Sequence, residues 1–333
     1  QLKDKKIIYG AISGMTKSLE DPYTDFFNPE EAKTFQQDLS GSFEGIGVEI
    51  GLKKDQLTVI SPLKGTPGEK AGLLPGDVIV SINGKSTSDM TIDQAVSIIR
   101  GKRGTEVILT VFRSSWTQTK DIKIIRDVIK IDSVDWELKN TDVAHIRIHQ
   151  FNQSLPNDFK KIAKEILSSP SKKIVLDLRN DPGGYLDVCQ NIAGWFLRSG
   201  EIVTLEDFGL GEEQKKYLAD GNGIFAGYPM VILINNGSAS AAEILAGALR
   251  DNSNIKLIGE KSFGKGSVQE VIRLQDKASF LKVTVARWLT PNGSSIAEVG
   301  LTPDIIVEMK DEDILSQKDP QLEKALEIIK DLK

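Results

Sequence analysis

Residues 259–269, Gly-Glu-Lys-Ser-Phe-Gly-Lys-Gly-Ser-Val-Gln, set a lysine between two glycines, and the first chemistry this spacing suggests is phosphate binding. Gly259, four residues, then Gly264-Lys265 opens like a P-loop, whose lysine reaches nucleotide phosphates. The next position argues against it. A P-loop needs Ser or Thr after the lysine to hold Mg²⁺, and Gly266 has no side chain. Nucleotide binding is therefore disfavoured, and Lys265 is either an ordinary loop lysine or serves another chemistry.

Acyl transfer is the alternative. The unbroken apolar run 229–234 reads as a buried strand, and Asn235-Asn236-Gly237 leads from it into Ser-Ala-Ser-Ala-Ala-Glu-Ile-Leu-Ala-Gly-Ala-Leu, which reads as a helix. The serines thus fall where a strand turns into a helix. Unpaired N–H groups and about half a positive charge at a helix N-terminus can stabilise an oxyanion formed there. A serine hydroxyl still needs a base at neutral pH. The two histidines, His145 and His149, alternate with Ile146 and Ile148, as in a strand whose polar side faces away from the core, so neither is favoured. A lysine can serve instead if burial lowers its pKa. Lys265 fits: its flanking glycines let the backbone bend sharply, and Phe263 lies nearby. In a regular strand Gln269 would share a face with Lys265 but at about 13 Å. With a bend at the glycines, its neutral amide could orient the amine without adding charge. On spacing alone, Ser238, Ala239, Ser240 and Ala241 equally fit close helix packing, and Lys265 a solvated turn.

What must position these residues is a chain of 333 residues, longer than one hydrophobic core usually organises. Hydrophobic content of 40% and charged content of 27% place it among globular proteins. A net charge of −5 with both signs scattered along the chain offers no footprint for nucleic acid and no polybasic membrane patch. Cys189 is the single cysteine, so no internal disulfide forms. No apolar run approaches the roughly 20 residues of a membrane span. The chain starts at Gln1, not Met, which raises the expectation of a removed N-terminal signal or anchor.

Residues 1–40 read as a helical segment, with Ile7, Ile8, Ala11, Ile12 and Met15 at near-helical spacing, then a Pro-containing break and a second short helix. Small residues from Asp38 to Gly45 mark a linker. Residues 41–127 form a β-rich module with one compact helix, which Thr91 caps with Gln94, which buries Ile92, Ala95, Val96 and Ile99, and which ends at Gly101. From 128 to 310 the pattern alternates: a buried strand at 173–178, a helix at 187–199, the strand at 229–234, a helix at 241–251, and strand-like runs at 267–274 and 279–289. Residues 311–333 form a charged helical segment with Leu315, Leu322, Ala325, Leu326 and Ile329 on one side, a stripe for the core or for a second copy of the chain.

Residues 237–249 and 259–269, with Leu-Asp-Leu-Arg-Asn-Asp-Pro-Gly-Gly at 176–184, Ala-Arg-Trp-Leu-Thr-Pro-Asn-Gly-Ser-Ser-Ile at 286–296 and Gly-Leu-Thr-Pro-Asp-Ile at 300–305, closely resemble the carboxyl-terminal processing proteases, serine peptidases with a Ser-Lys pair. The opening stretch 21–50 and the β-rich module also look like that family, so the resemblance spans nearly the whole chain. It implies an α/β protease core, a mixed sheet with helices in crotonase/ClpP-like superhelical βαβ units, carrying an inserted β-rich PDZ domain and helical terminal segments. In the family pattern the nucleophile falls on Ser240, with Ser238 a backbone neighbour, the general base on Lys265 and the supporting glutamine on Gln269. The family's oxyanion turn falls on Asp181-Pro182-Gly183-Gly184, with Asp181 where asparagine is more usual; Gly183 or Gly184, with the N–H of Ala241, would be the donors. In the PDZ-like module, Gly45, Ile46, Gly47 and Val48 would receive a peptide's terminal carboxylate, and the following strand would pair with that peptide against the helix. Arg100 at the helix end either offsets the dipole or makes a regulatory contact.

The resemblance implies a serine endopeptidase that cuts proteins near their C-termini, with the PDZ domain binding substrate C-termini and gating activity, and with no metal or cofactor. A catalytically silent PDZ scaffold is the alternative. Implied partners are proteins or peptides with free C-termini and a second copy in a homodimer, with membrane anchoring through a removed N-terminal segment. The implied location is extracytoplasmic, in the bacterial periplasm or cell-wall space.

Overall fold

The computed structural model describes residues 1–333 apart from 1, 33, 34, 36–40, 54, 55, 64, 131, 210, 298, 311, 314, 315, 317 and 333. It divides into two compact units, residues 1–41 with 132–333, and residues 42–131. The first unit opens with helix α1 (Leu2–Lys17), strand β1 (Asp25–Phe27) and a helical turn at 29–32. The expected helical spacing in α1 is real, yet Ile7, Ile8 and Met15 are exposed. The helix is seated by Tyr9, whose ring stands 5.5 Å from that of Phe26, and by buried Thr16.

The unit at 42–131 contains β2 (Ser42–Gly45), β3 (Val48–Lys53), β4 (Gln56–Pro62), helix α2 (Pro67–Lys70), β5 (Val78–Ile82), β6 (Lys85–Ser86), helix α3 (Ile92–Ile99), β7 (Glu106–Phe112), β8 (Lys120–Ile125) and β9 (Asp127–Lys130). Its main sheet runs β3-β4-β5-β7-β8, with β3 at one edge, while β2 pairs with β9. The capping box read from Thr91 and Gln94 is formed: Gln94 N–H donates to Thr91 Oγ1 at 3.2 Å and Thr91 N–H to Gln94 Oε1 at 3.1 Å. Ala95 and Ile99 then meet Ile79, Ile82, Val107 and Leu109 in a core of this unit's own.

In the larger unit, β10 (Val134–Lys139), β11 (Val143–Ile148), β12 (Lys173–Asp177), β15 (Met230–Ile234), β16 (Lys256–Gly259) and β19 (Ile305–Ile306) form one sheet in that order, parallel from β11 onward. Helices α4 (Leu155–Ser168), α5 (Leu186–Phe196) and α6 (Ala241–Ser253) cover one face, where Phe159, Ile192 and Leu245 meet Ile146, Leu176 and Ile232. Helix α7 (Pro320–Asp331) covers the other, setting Ala325 and Ile329 on Val143, Val175 and Val231. Burial on both faces is why these strands read as unbroken apolar runs. Leu322 and Leu326 pack on the same cluster, so the C-terminal stripe serves the core; Leu315 lies outside the described residues.

The second covered face corrects the reading of the His145 strand as polar on its outer side. His145 is 1% exposed, with Glu137 Oε1 at 3.3 Å from Nδ1 and Asp177 Oδ2 at 3.1 Å from Nε2. A further sheet holds β13 (Ile202–Asp207), β14 (Lys215–Leu218), β17 (Ser267–Arg273) and β18 (Phe280–Leu289), with β1 joined to β18 through Asp25↔Lys282. Among the described residues no helix is long and apolar enough to cross a membrane.

Candidate active site

Strand β15 ends at Ile234, and the loop that follows is fastened to the loop after β12. Asn235 Oδ1 accepts the N–H of Asn180 at 2.8 Å, and buried Ser238 Oγ donates to the Leu178 carbonyl at 2.8 Å while accepting Asn235 N–H at 3.0 Å. Ser238 is thereby committed to holding the loop. Ser240 is the N-cap of α6, at φ 54° and ψ −116°. This backbone region is sparsely populated by residues with a Cβ and costs on the order of 1–3 kcal/mol.

What restrains Ser240 is Glu243, wholly buried three residues along the helix. Its Oε2 accepts the N–H of Ser240 at 2.9 Å and of Lys265 at 2.9 Å; its Oε1 accepts Gly264 N–H at 2.7 Å and Ser262 Oγ at 2.6 Å. Burial raises the carboxyl's pKa, and these four donors oppose the rise without cancelling it. The sequence reading gave Glu243 no role, although Ser-x-x-Glu at a helix start is itself a visible capping signature.

Lys265 is half-buried, with its nitrogen 6.0 Å from the centre of the Tyr23 ring. Burial lowers its pKa most, the nearby Lys282 ammonium lowers it further, and Glu243 works in the opposite direction. Phe263, expected as an apolar neighbour, points outward at 58% exposure. The expected bend is present: Gly264 has φ 90°, and a Cβ at Gly266 would sit 2.1 Å from the Ala297 nitrogen. Gln269 follows a bulge in β17 and donates from Nε2 to Ser267 Oγ at 2.5 Å.

Ser240, Lys265 and Gln269 line one cavity of about 350 Å³ together with Gly183, Gly184, Ala241, Lys282 and Trp288. Among the described residues no hydrogen bond joins the serine hydroxyl, the lysine amine and the glutamine amide. The three share a chamber without bonding to one another.

The glycine turn abuts the serine directly. A Cβ on Gly183, at φ 91°, would lie 2.6 Å from the Ala239 carbonyl oxygen and 2.8 Å from both Ala241 N and Ser240 Cβ. Gly183 N–H donates to Asp181 Oδ1 at 2.8 Å, and Ala239 N–H to the Asp181 carbonyl at 2.9 Å. Among the described residues the N–H groups of Gly184 and Ala241 have no partner. Of the two glycines the sequence left open, Gly183 has its donor occupied and Gly184 does not.

In the smaller unit, Ile46 and Gly47 accept at their carbonyls, from Gly68 N–H at 2.7 Å and from Leu63 N–H at 2.9 Å, while among the described residues their own N–H groups are unbonded. Val48 begins the edge strand β3, and Gly45 ends β2. Arg100 lies over the Phe43 ring of the same unit at 4.6 Å. His149 is partly exposed and bonded to Asp135 at 2.6 Å, apart from the cavity. Among the described residues no group of three or more His, Cys, Asp or Glu is arranged to hold a metal ion.

A serine at a strained helix N-terminus, sharing a cavity with a half-buried lysine and facing free backbone donors, is the layout of a serine–lysine hydrolase. The chain belongs to peptidase family S41, whose profile matches residues 142–307, and a PDZ domain profile matches residues 58–113. It is similar to the carboxy-terminal processing protease CtpA of Bacillus subtilis, 37% identical over 308 residues that cover 92% of this chain and 65% of that protein. The carboxy-terminal-processing protease of Bartonella bacilliformis is 40% identical over 312 residues, covering 92% of this chain and 70% of the relative. Among solved structures, the photosystem II D1 C-terminal processing protease superposes with a TM-score of 0.60 at 30% identity, over 90% of this chain and 81% of that one. The chain thus spans about two thirds of the length of these two bacterial relatives. The family resemblance and the fold class, a protease core of mixed sheets and helices with a PDZ domain, are borne out.

Proposed function

We propose that the protein is a serine endopeptidase that cleaves protein substrates near their C-termini. The observation that carries this reading is that Ser240 and Lys265 line one cavity while a single buried carboxylate fixes the backbone of both. Neutral Lys265 takes the proton of Ser240 Oγ as that oxygen attacks the scissile carbonyl. The oxyanion settles on the N–H groups of Ala241 and Gly184, which have no partner among the described residues and belong to residues lining the cavity of Ser240. Lys265 returns its proton to the leaving amine, and water, deprotonated in the same way, releases the acyl-enzyme. Gln269 steadies the amine once its amide leaves Ser267.

The residue 42–131 unit binds the substrate C-terminus: its carboxylate rests on the Ile46 and Gly47 N–H groups and its backbone extends the sheet at β3. Binding there gates cleavage. An extracytoplasmic location follows from the family resemblance, and membrane anchoring rests on that resemblance alone. A homodimer finds support in the outward apolar residues of α1. Cell fractionation and sedimentation velocity test these last readings.

The deciding experiment is cleavage of a peptide ending in small apolar residues by Ser240→Ala and Lys265→Ala. Both should lose activity by about 10⁴-fold or more while melting near the parent. Full activity in either rejects the mechanism.

A further inference from the structure

We propose that Asp181 works as a neutral carboxylic acid, a positioning residue that holds the Gly183–Gly184 turn against Ser240. The proposal rests on the reading of that turn as the oxyanion site. Asp181 is 0% exposed. One carboxyl oxygen accepts Gly183 N–H at 2.8 Å; the other, Oδ2, is buried and has no partner among the described residues. Its carbonyl accepts Ala239 N–H, so this one residue braces the turn on one side and the approach to Ser240 on the other.

An ionised carboxylate with a bare oxygen in such a place is far costlier than the neutral acid. Among the described residues nothing around it offers a compensating charge. Arg179, two residues earlier, turns its guanidinium to Asp177 and Asp319. From α5 the facing ionisable group is Cys189, itself buried, with Sγ 3.3 Å from the Ala241 carbonyl. On α6, Glu243 is directed to Ser262 and to the backbone of residues 240, 264 and 265. Burial accordingly pushes the Asp181 carboxyl well up and the Cys189 thiol up. The neutral acid keeps Gly183 bonded and the Gly184 donor aimed; loss of the proton leaves an unpaired charge that draws water in or releases the turn.

Three readouts test this. In Ser240→Ala protein at about pH 6, well above the ordinary aspartate value, a difference infrared spectrum against the Ser240→Ala/Asp181→Asn protein should contain a protonated-carboxyl stretch. Should the double variant not fold, Ser240→Ala protein with ¹³C-labelled aspartate supplies the same band by isotope shift. The melting temperature of Asp181→Asn should exceed that of the parent by a margin that grows as pH rises above the ordinary aspartate value, because the native acid retains a proton that the unfolded chain releases. Ionisation of Asp181 should add a descending limb to the alkaline side of the parent's cleavage profile; Asp181→Asn should retain the activity lost there, whereas Asp181→Ala should lose about a hundredfold in kcat, the scale of one oxyanion donor. A carboxylate band at that pH, a melting difference independent of pH, or an unaltered alkaline limb in Asp181→Asn overturns the proposal. The spectroscopic and melting results do not depend on catalysis. Residual cleavage by Ser240→Ala would reject the serine mechanism while leaving them standing.

Discussion

Glu243 Oε2 accepts the backbone N–H of Lys265 at 2.9 Å, the same oxygen that holds the N–H of Ser240. The segments carrying the proposed nucleophile and base are therefore spaced by a carboxylate between their backbones. Glutamine cannot replace it, because both oxygens accept and an amide would turn an NH₂ toward backbone donors. Glu243→Gln should lower kcat/KM by about a hundredfold, the scale of a reacting group misplaced by an ångström. It should also lose about 1–3 kcal/mol of stability in urea unfolding for each donor left unsatisfied.

Lys282 should shift the acid limb of the pH profile. It lines the cavity with Lys265, its nitrogen 5.2 Å from the Phe27 ring centre and 5.7 Å from that of Phe35, with the carboxylates of Asp25 and Asp21 nearby. Activity rises with pH as Lys265 gives up its proton. Burial is the larger cause of its lowered pKa and Lys282 the next. Lys282→Met removes the like charge, so the ascending limb should move to higher pH, while Lys282→Arg should keep it in place. Identical limbs in the parent and Lys282→Met would show that the second ammonium has no influence.

Gly183→Ala should separate the turn from the serine. A methyl there meets backbone at 2.6 and 2.8 Å, where nothing flexible can yield, and φ of 91° disfavours any side chain. The expected result is a fall in kcat of about a hundredfold or more. Stopped-flow acylation would place the loss before acyl-enzyme formation; unimpaired acylation would remove the turn from the mechanism.

Peptide binding by the smaller unit should depend on a free terminal carboxylate. In the Ser240→Ala protein, amidating the peptide's C-terminus should weaken binding by about tenfold or more, about 1.4 kcal/mol. Gly47→Ala should weaken the free-acid peptide similarly, since its Cβ would lie 2.4 Å from Thr66 Cβ. Equal affinities by fluorescence anisotropy would detach the loop from carboxylate recognition.

Arg179→Met should destabilise the larger unit without entering the cavity around Ser240. Arg179 bonds Asp177 at 2.6 and 2.9 Å and Asp319 at 2.8 Å. Burial alone would raise Asp177, but Arg179 and His145 bring it down to about 2. The parent thus holds this contribution above the ordinary aspartate pKa and loses it as pH falls toward about 2. Removing one partner of such a pair costs roughly 3–5 kcal/mol, readable in urea at neutral pH.

The strands at 173–178 and 229–234 and the helix at 241–251 could be read from sequence because double-sided burial leaves unbroken apolar runs and because α6 has clear start signals. Strand β1 could not: its three residues are specified by pairing with β18, more than 250 residues away. Helix α4 was not singled out, and the outer face of β11 was misjudged, because the helix that buries it, α7, lies at the far end of the chain. At the site, residue types and spacing raised a serine at the helix start with Lys265 as a candidate base, and the family resemblance singled out Ser240. The Glu243 bridge and the proximity of Lys282 depend on side chains that meet across elements, which a linear pattern does not record. The distance foreseen for Gln269 was the right concern, since its amide turns to Ser267.

Ser42 pairs with Lys130 and Gly45 with Asp127, so the chain enters and leaves the smaller unit through two neighbouring strands. A segment anchored this way behaves as a cassette. It can be excised by a short splice between residues 41 and 132, or exchanged for another of the same kind. The part of a gene that encodes such a cassette can then change at a pace of its own.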